Sequence, residues 1–453
     1  METIHEEARD IPVVDEFDIC VVGGSCTGVF AAVRAARLGA KVALLENNGF
    51  FGGVATASQV NIWHSIYDIH GQQQIIAGLT TEVIDRLLKR RAAYIAERNN
   101  PAQYAILHTE ELKIELDELV VEAGVRPFLH TRFVAPIVRD GKPIAVAIED
   151  KSGRRAIKAA YFIDATGDGD LVARLGYPCY KREGMQPPTM CAVIRGLDRI
   201  KEKYPDFSLS KAVFDPLYEN SLKKGFLWSA KVPYSQGDTM VAGTRVFGVD
   251  CSDADQLTQA EMEGRQQVRA ICDILSRHFL DDEINPLVAL PAKIGIRDTR
   301  HAHCKHTLTE EEVLYGVRFP DAIANGTYRV DIHNHEAQGI LFRYLDGTEV
   351  WVNADGSKRV SRWRDENEEP APFYQIPFRS LVPQQTTNVL VAGRILDADP
   401  GAFGAVRVMV NCNQTGEAAG TASYLALDSN LPVDQVDSAK LRETMARHGS
   451  III

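Results

Sequence analysis

Imidazole and guanidinium groups are the side chains of this sequence best suited to chemistry on a small molecule. His64, His70, His301, His303, His306, His333 and His335 could take up or release a proton near neutral pH. Arg297, Arg300 and Arg379 could clamp a carboxylate or vicinal hydroxyls. The run His301, His303, Cys304 and His306, with His333 and His335, would offer enough imidazole for zinc or iron. Its H-x-H-C-x-H spacing is not that of a zinc finger, and alternation along a strand would split the side chains between two faces. A polar strand is therefore the expectation there, and no metal site. The eight cysteines are scattered without a C-x-x-C pair, which reads as reduced thiols. Cys26 is expected to pack the start of a helix.

Such groups need an element that holds a reactive partner, and Phe17 to Gly53 supplies it. The apolar run Phe17 to Val22 predicts a buried parallel strand, and Gly23-Gly24-Ser25-Cys26-Thr27-Gly28 a tight turn. A small-residue helix over Val29 to Leu38 stops at Gly39, and a second strand, Lys41 to Leu45, ends on Glu46. Strand, glycine turn, helix, strand and terminal acid make a nucleotide-binding βαβ unit. Gly23 lets the chain leave the strand sharply, and Gly28 lets the helix lie close on the sheet. Free amides and the helix dipole would face a pyrophosphate. Glu46 can accept both hydroxyls of an adenosine ribose. The middle glycine of the fingerprint is Ser25, whose hydroxyl can donate to a phosphate oxygen.

The pair Gly52-Gly53 stands after Glu46 as E-x5-GG, which lets backbone pass a phosphate and a ring system. That arrangement resembles the FAD-binding flavoproteins of the glutathione-reductase-like superfamily rather than NAD dehydrogenases. Two later markers agree: the strand running into Ala165-Thr166-Gly167-Asp168-Gly169-Asp170, similar to the ATG motif of those proteins, and the strand Asn388 to Ala392 ending in Gly393-Arg394. The whole set (GGSCTGVFAAVRAARLGAKVALLE, IDATGDGD, GIRDTR…LT, DAIANGTYRVDIH, IPFRSLVP and NVLVAGR…AVRV…GEAAG) resembles the bacterial FAD-dependent oxidoreductase family over most of residues 17 to 427. It departs from that pattern at Ser25, and at His301, where a second arginine is usual.

The resemblance implies FAD as cofactor. It implies contacts from Gly23, Gly24, Ser25, Thr27, Gly28, Glu46, Asn47, Gly52, Gly53 and Thr56, and backbone contact with adenine at Val134. Thr166, Gly167, Asp168, Gly393, Arg394, Arg407 and Val408 complete the set. A long helix read over Ala405 to Leu427 would point its N-terminus at flavin N1 and O2, with Arg407 in its first turn. FAD accepts hydride at N5, so a base must remove the accompanying proton. His64, after the glycine pair, and His333, ending a motif shared with the family, are the favoured bases, with Arg300 as clamp.

The 453 residues suffice for two to three domains, and 45% hydrophobic with 25% charged residues is the composition of an ordinary globular protein. A net charge of -11 disfavours nucleic acid and membrane-surface partners but not an anionic small substrate, since local arginines override global charge. The acidic, polar opening predicts no secretory leader, and no apolar run is long enough to span a bilayer, so a cytoplasmic protein is expected. The fold expected is α/β, a discontinuous Rossmann-like FAD-binding domain with an inserted α+β substrate domain. Its parts are 15–171, an insert over 172–378, a closing strand and helix over 379–430, and a tail over 431–453. The function expected is hydride transfer between a small hydroxylated or sugar-like metabolite and flavin N5. A reductase of an activated double bond and a flavin-binding subunit of a larger redox complex are the alternatives. A homo-oligomer stays open.

Overall fold

The computed structural model describes residues 2–96, 104–223, 225–333, 339–353 and 356–453. In chain order the first elements are β1 (Val13–Val22), α1 (Cys26–Leu38), β2 (Val42–Leu45), α2 (Leu79–Lys89) and α3 (Thr109–Glu122). Then come β3 (Arg126–Phe128), β4 (Arg132–Arg139), β5 (Lys142–Asp150) and β6 (Gly153–Asp164). A second group comprises β7 (Ala192–Ile194), β8 (Trp228–Lys231), β9 (Thr239–Ala242), α4 (Ala254–Phe279) and β10 (Leu287–Ala289). It is followed by a meander of β11 (Val330–His333), β12 (Ile340–Arg343), β13 (Thr348–Val352) and β14 (Lys358–Arg362). The chain then returns through β15 (Val389–Val391), α5 (Pro400–Val406) and α6 (Met409–Ser429).

A seven-stranded sheet orders β3, β2, β1, β6, β5 and β4, with β15 also on β6. The strands β3, β2, β1, β6 and β15 are parallel, and β5 and β4 form an antiparallel hairpin on the same sheet. Both sheet faces are covered, which is why β1 and β2 read as near-continuous apolar runs. Register decides where the site lies. Val22 is level with Leu45 on one side and Asp164 on the other, and Asp164 is level with Val391. The turns after β1, β6 and β15 therefore leave the same carboxyl edge together, where open α/β sheets bind ligands. Sequentially distant strands complete one sheet, giving the discontinuous α/β architecture.

One face of this sheet is sealed by α1 crossing α6. A Cβ on Gly416 would lie 2.2 Å from Thr27 O, and one on Gly420 2.2 Å from Ala31 O, so the helix backbones touch where these glycines stand. The buried Arg34 guanidinium pairs with Glu417 beside this contact, and Glu417 also accepts from the Leu79 amide at 2.9 Å, tying in the start of α2.

Several elements differ from their sequence reading. β1 begins at Val13, inside the expected polar arm, because β6 offers it pairing partners from Ala156 onward. α2 ends at Lys89: Arg91 takes a left-handed conformation (φ 57°) and the chain turns into strand Ala93–Ile95. The N-cap of α3 is His108, its Nδ1 accepting from Glu111 N. β3 and β4 are separated by a turn at His130 (φ 50°). The helix read over Ala405 to Leu427 is two helices, α5 and α6, broken at Arg407 and Val408, where Val408 is extended. Arg407 thus caps the end of α5 instead of sitting in the first turn of the longer helix.

The α1–α6 contact leaves no room for a side chain. Gly420→Val should cost about 3 kcal/mol by overpacking against backbone. Urea denaturation followed by far-UV circular dichroism checks this; a midpoint equal to the parent's would refute the packing account.

Candidate active site

The turn after β1 is built by backbone contact. Gly23 has φ 106°, and a Cβ there would lie 2.5 Å from Ala165 O; a Cβ on Gly28 would lie 1.8 Å from Gly23 O. Ser25 caps α1, its Oγ accepting from Gly28 N at 3.3 Å. The glycine pair joins the same turn: Gly52 N donates to Gly24 O at 2.8 Å, and a Cβ on Gly53 would meet Ser25 Cβ at 2.8 Å. Glu46 is buried. One carboxylate oxygen accepts from Gly24 N at 2.9 Å and the other from Asn48 N at 2.8 Å, so the acid orients the turn while keeping lone pairs free.

Across the cleft, the turn after β6 is held by Asp164, which is fully buried and accepts from Leu171 N and Val172 N at 2.9 and 3.0 Å. Burial pushes its carboxyl up to about 6, against the Val172 bond and two from Thr166. Gly167 lies under Arg394, whose guanidinium pairs with Asp168. Gly393 N donates to Thr415 Oγ1 at 2.9 Å. No side chain caps α6, so its first amides open towards the cavity that Val408, Met409 and Asn413 line. The bare backbone along these turns is a cradle that any side chain would fill.

The same cavity runs on to a second wall built by the middle of the chain. His64, Arg297, Tyr328, Arg329, Asp331, His333 and Arg407 line it, with Phe226, Trp228 and Phe342 as apolar neighbours. Alternation along the strand puts Arg329, Asp331 and His333 on one side of β11 and the residue before it. Asp331 is the hub: it accepts from Tyr328 OH at 2.9 Å and from Arg407 at 3.2 Å, and its other oxygen is 3.3 Å from His333 Nε2. Arg245, 2% exposed, stands behind His333 and donates to its Nδ1 at 3.4 Å, so the ring proton belongs on Nε2, towards Asp331. The His64 ring lies against Tyr328, centroids 4.1 Å apart, and its Nδ1 is buried with no partner among the described residues. Burial, then the Arg329 and Arg407 charges, hold His64 down to about 3. Burial, then Arg297, Arg245, Arg407 and Arg329, hold His333 well below its ordinary value. Both imidazoles are neutral at physiological pH.

Of the cofactor residues read from the sequence, Gly23, Ser25, Thr27, Glu46, Gly52, Gly53, Thr166, Gly167, Gly393, Arg394, Arg407 and Val408 line this cavity. Gly24 and Gly28 stand just behind the turn, and Asp168 acts through Arg394 and Thr299. Thr56 is spent on Phe51 O, Asn47 is exposed, and Val134 sits at a bulge of β4; none is in the cavity wall. His64 and His333 are in the wall. Arg300 is not: its donors go to Asp168 O, Asp170 and Ser252 O, so it fastens the turn after β6 instead of clamping a ligand. Arg379 pairs with Asp321, His301 is locked to Asp298, His306 faces Glu312 and His70 is exposed; His335 lies outside the described residues. Among the described residues no His, Cys, Asp and Glu group is arranged to hold a metal, and no helix is long and apolar enough to cross a membrane. All eight cysteines are free, and burial pushes the Cys26 thiol up to about 12.

Sequence reasoning missed Arg245, Arg329, Tyr328 and Asp331. The alternation Arg329, Asp331, His333 was a readable signal for three polar groups on one strand face; nothing in the sequence marked Arg245 as buried. A second concavity, between α2 and α3, is lined by Arg37, Glu82, Arg86 and Glu122, which satisfy one another as ion pairs.

A glycine-cradled, acid-tipped βαβ turn opening on a cavity at the carboxyl edge of the sheet is the form of a dinucleotide-binding fold. The chain matches the FAD dependent oxidoreductase family over residues 18–445 and belongs to it. It is therefore an FAD-dependent oxidoreductase, with FAD as its cofactor. It is 28% identical over 166 residues to glutathione reductase of Schizosaccharomyces pombe, a match covering 34% of this chain and about a third (32%) of that protein's length. Similar solved structures include CabE, an aromatic hydroxylase from angucycline biosynthesis (13% identity, TM-score 0.45, 94% of this chain and 64% of that one). Another is a geranylgeranyl bacteriochlorophyll reductase-like protein from Thermoplasma acidophilum (12% identity, TM-score 0.42, 96% and 83%). A third is glycerol-3-phosphate dehydrogenase from Bacillus halodurans complexed with FAD (15% identity, TM-score 0.38, 64% and 58%).

Glu46→Ala removes three charge-assisted bonds, one from Gly24 N in the α1 turn and two from Asn48, worth about 1.5–3 kcal/mol each. The variant should lose FAD at least tenfold more readily, read as flavin released on dialysis; equal retention would refute the role given to the acid. The neutral histidines make the fold acid-sensitive. An unfolded chain protonates His64 below about pH 6.5, whereas the folded form resists until about 3, so stability is lost as pH falls through that window. The slope is up to about 1.4 kcal/mol per pH unit for each such histidine. His64→Gln should flatten the acid limb of the urea midpoint plotted against pH; an unchanged limb would contradict the burial argument.

Proposed function

We propose that the chain oxidises a small hydroxyl-bearing metabolite at the wall formed by His64, Tyr328 and β11, with FAD held by the turns at the carboxyl edge of the sheet. The observation that carries this reading is a single cavity lined by both the glycine turns and the polar wall. The α1 turn, with Ser25 and Glu46, would hold the pyrophosphate and ribose. Thr166, Gly167, Gly393 and the uncapped start of α6 would accommodate the rest. When bound, FAD supplies a two-electron acceptor that takes hydride at N5.

The chain's own residues supply the remainder. In this reading His64, whose Nδ1 is unpartnered, accepts the hydroxyl proton as the C–H bond breaks, leaving a carbonyl product; a ligand that offsets the Arg329 and Arg407 charges would restore the proton affinity those charges take from the ring. Its ring is braced by Tyr328, which Asp331 fixes in turn. His333 has Arg245 at one nitrogen and Asp331 at the other, so it positions Asp331 and is not the base. Phe226, Trp228 and Phe342 exclude water from the reacting atoms. The segment 172–378 thus chooses the substrate in this reading.

The test is anaerobic. The yellow holoprotein should bleach when mixed with the correct member of a panel of hydroxylated metabolites. His64→Gln should bleach about 10²–10⁴-fold more slowly with its FAD content intact. Bleaching only after addition of a protein partner, or only re-oxidation of the reduced form by unsaturated acceptors, would overturn this reading.

A further inference from the structure

The polar wall carries more positive charge than its surroundings neutralise. Arg245, Arg297, Arg329 and Arg407 gather round β11, and the carboxylate among them is Asp331. Asp331 Oδ2 is engaged by Arg407 and Tyr328, while its Oδ1, 3.3 Å from His333 Nε2, is buried without a hydrogen-bond partner among the described residues. Arg245 donates only to neutral acceptors, Thr189 Oγ1 at 2.7 Å, Thr244 O at 2.6 Å and His333 Nδ1, and its Nη2 has no partner among the described residues. Arg297 donates to Pro187 O and Thr189 Oγ1, at 2.7 and 2.5 Å. Arg329 makes no ion pair among the described residues; it lies over the rings of Phe342 and Tyr328, at 4.1 and 5.0 Å, with its Nε buried and unpartnered. The Nε of Arg407 is likewise buried without a partner.

Arg245 is buried and Arg297, Arg329 and Arg407 are part-buried around one carboxylate; cations drawn this far out of water are costly unless a further anion joins them. The cost shows in two of the groups: burial, then the Arg407 charge, brings Arg297 down to about 10, and burial, then Arg297, lowers Arg245 well below its ordinary value, whereas Arg329 is raised, burial being outweighed by Tyr328, Tyr344 and Asp331. The neutral histidines add nothing to balance the charge. The dinucleotide turns have their own anion site at the start of α1, so this excess belongs to the other occupant of the cavity.

We propose that Arg297 and Arg329, backed by Arg245 and Arg407, receive an oxyanion of the substrate, a carboxylate or a phosphate monoester, so that the molecule oxidised is an anionic hydroxy compound. This rests on the redox reading above. Arg407 is tethered to Asp331, which leaves Arg297 and Arg329 as the groups free to present planar forks to an oxyanion. The overall charge of -11 does not oppose this at short range, because the local cations dominate once the ligand is inside the cavity. Neutral polyols would leave the guanidinium groups uncompensated and should be poor substrates.

The holoprotein is titrated with inorganic phosphate, with acetate and with neutral ethylene glycol, chloride holding ionic strength constant. Flavin absorbance and thermal midpoint are followed. A saturable response to phosphate or to acetate, and none to ethylene glycol, is expected; which of the two responds separates the phosphate ester from the carboxylate. Arg297→Gln and Arg329→Gln should each weaken it at least tenfold with FAD content unchanged, and the corresponding lysine variants should restore part of it. Arg379→Gln, which touches Asp321 outside the cavity, should bind as the parent does. No saturable response to either anion, or equal affinity in the arginine variants, overturns the proposal. Bleaching by neutral polyols alone, undiminished in those variants, overturns it while leaving the redox reading in place. Anion binding lost in the variants, with no panel member bleaching the flavin, supports the anion site and sinks the redox reading.

Discussion

Backbone must touch backbone where α1 leaves the sheet, and the rest of the molecule is arranged to permit it. Gly23 fits against the turn after β6, Gly28 against Gly23 itself, and Gly53 against Ser25. Further along α1, Thr27 and Ala31 meet Gly416 and Gly420 of a helix almost four hundred positions away in sequence. A single Cβ at any of these points would separate the helix from the sheet or from its neighbour. The close approach keeps the amides of the α1 turn at the carboxyl edge, level with the ends of β2, β6 and β15. The dinucleotide site is thus a consequence of packing without side chains.

That constraint leaves the opposite wall to be supplied from elsewhere. The middle of the chain does so with short strands whose polar residues turn inwards, β11 above all. Inward-facing polar groups are tolerated there because they satisfy one another: Asp331 serves Tyr328 and Arg407, and Thr189 receives both Arg245 and Arg297. The accounting is incomplete on the positive side. Part-buried guanidinium groups line one cavity with buried Arg245 behind them, an arrangement that costs stability and that a ligand of opposite sign would offset.

The electrostatics also set the state of the histidines. Low polarity and nearby arginines both disfavour a second proton, so His64 and His333 share the neutral form for the same causes. Of the two, His64 has a nitrogen with no partner among the described residues, and its proton affinity stays low until the neighbouring positive charge is offset. His301 shows the contrast: its Nε2 is 2.8 Å from Asp298, and it serves to join β-structure of the insert to the loop before α5.

The sequence by itself determined the βαβ unit, its acid, the glycine pair, the discontinuous sheet and hence FAD. These depend on local rules: apolar runs make buried strands, and glycine marks positions where no side chain fits. His64 was legible through its place after the glycine pair, and His333 through its motif. Tertiary structure alone decided which arginines matter. Arg300 looked like a clamp and is a fastener, while Arg245, from an undistinguished stretch, is buried behind His333. Only tertiary structure could break the last long helix at Arg407, which is held on the polar wall by Asp331 and Gln186. Charge carries no periodicity, and its burial is fixed by partners hundreds of residues apart, so the balance of the cavity could be read only once the chain was folded.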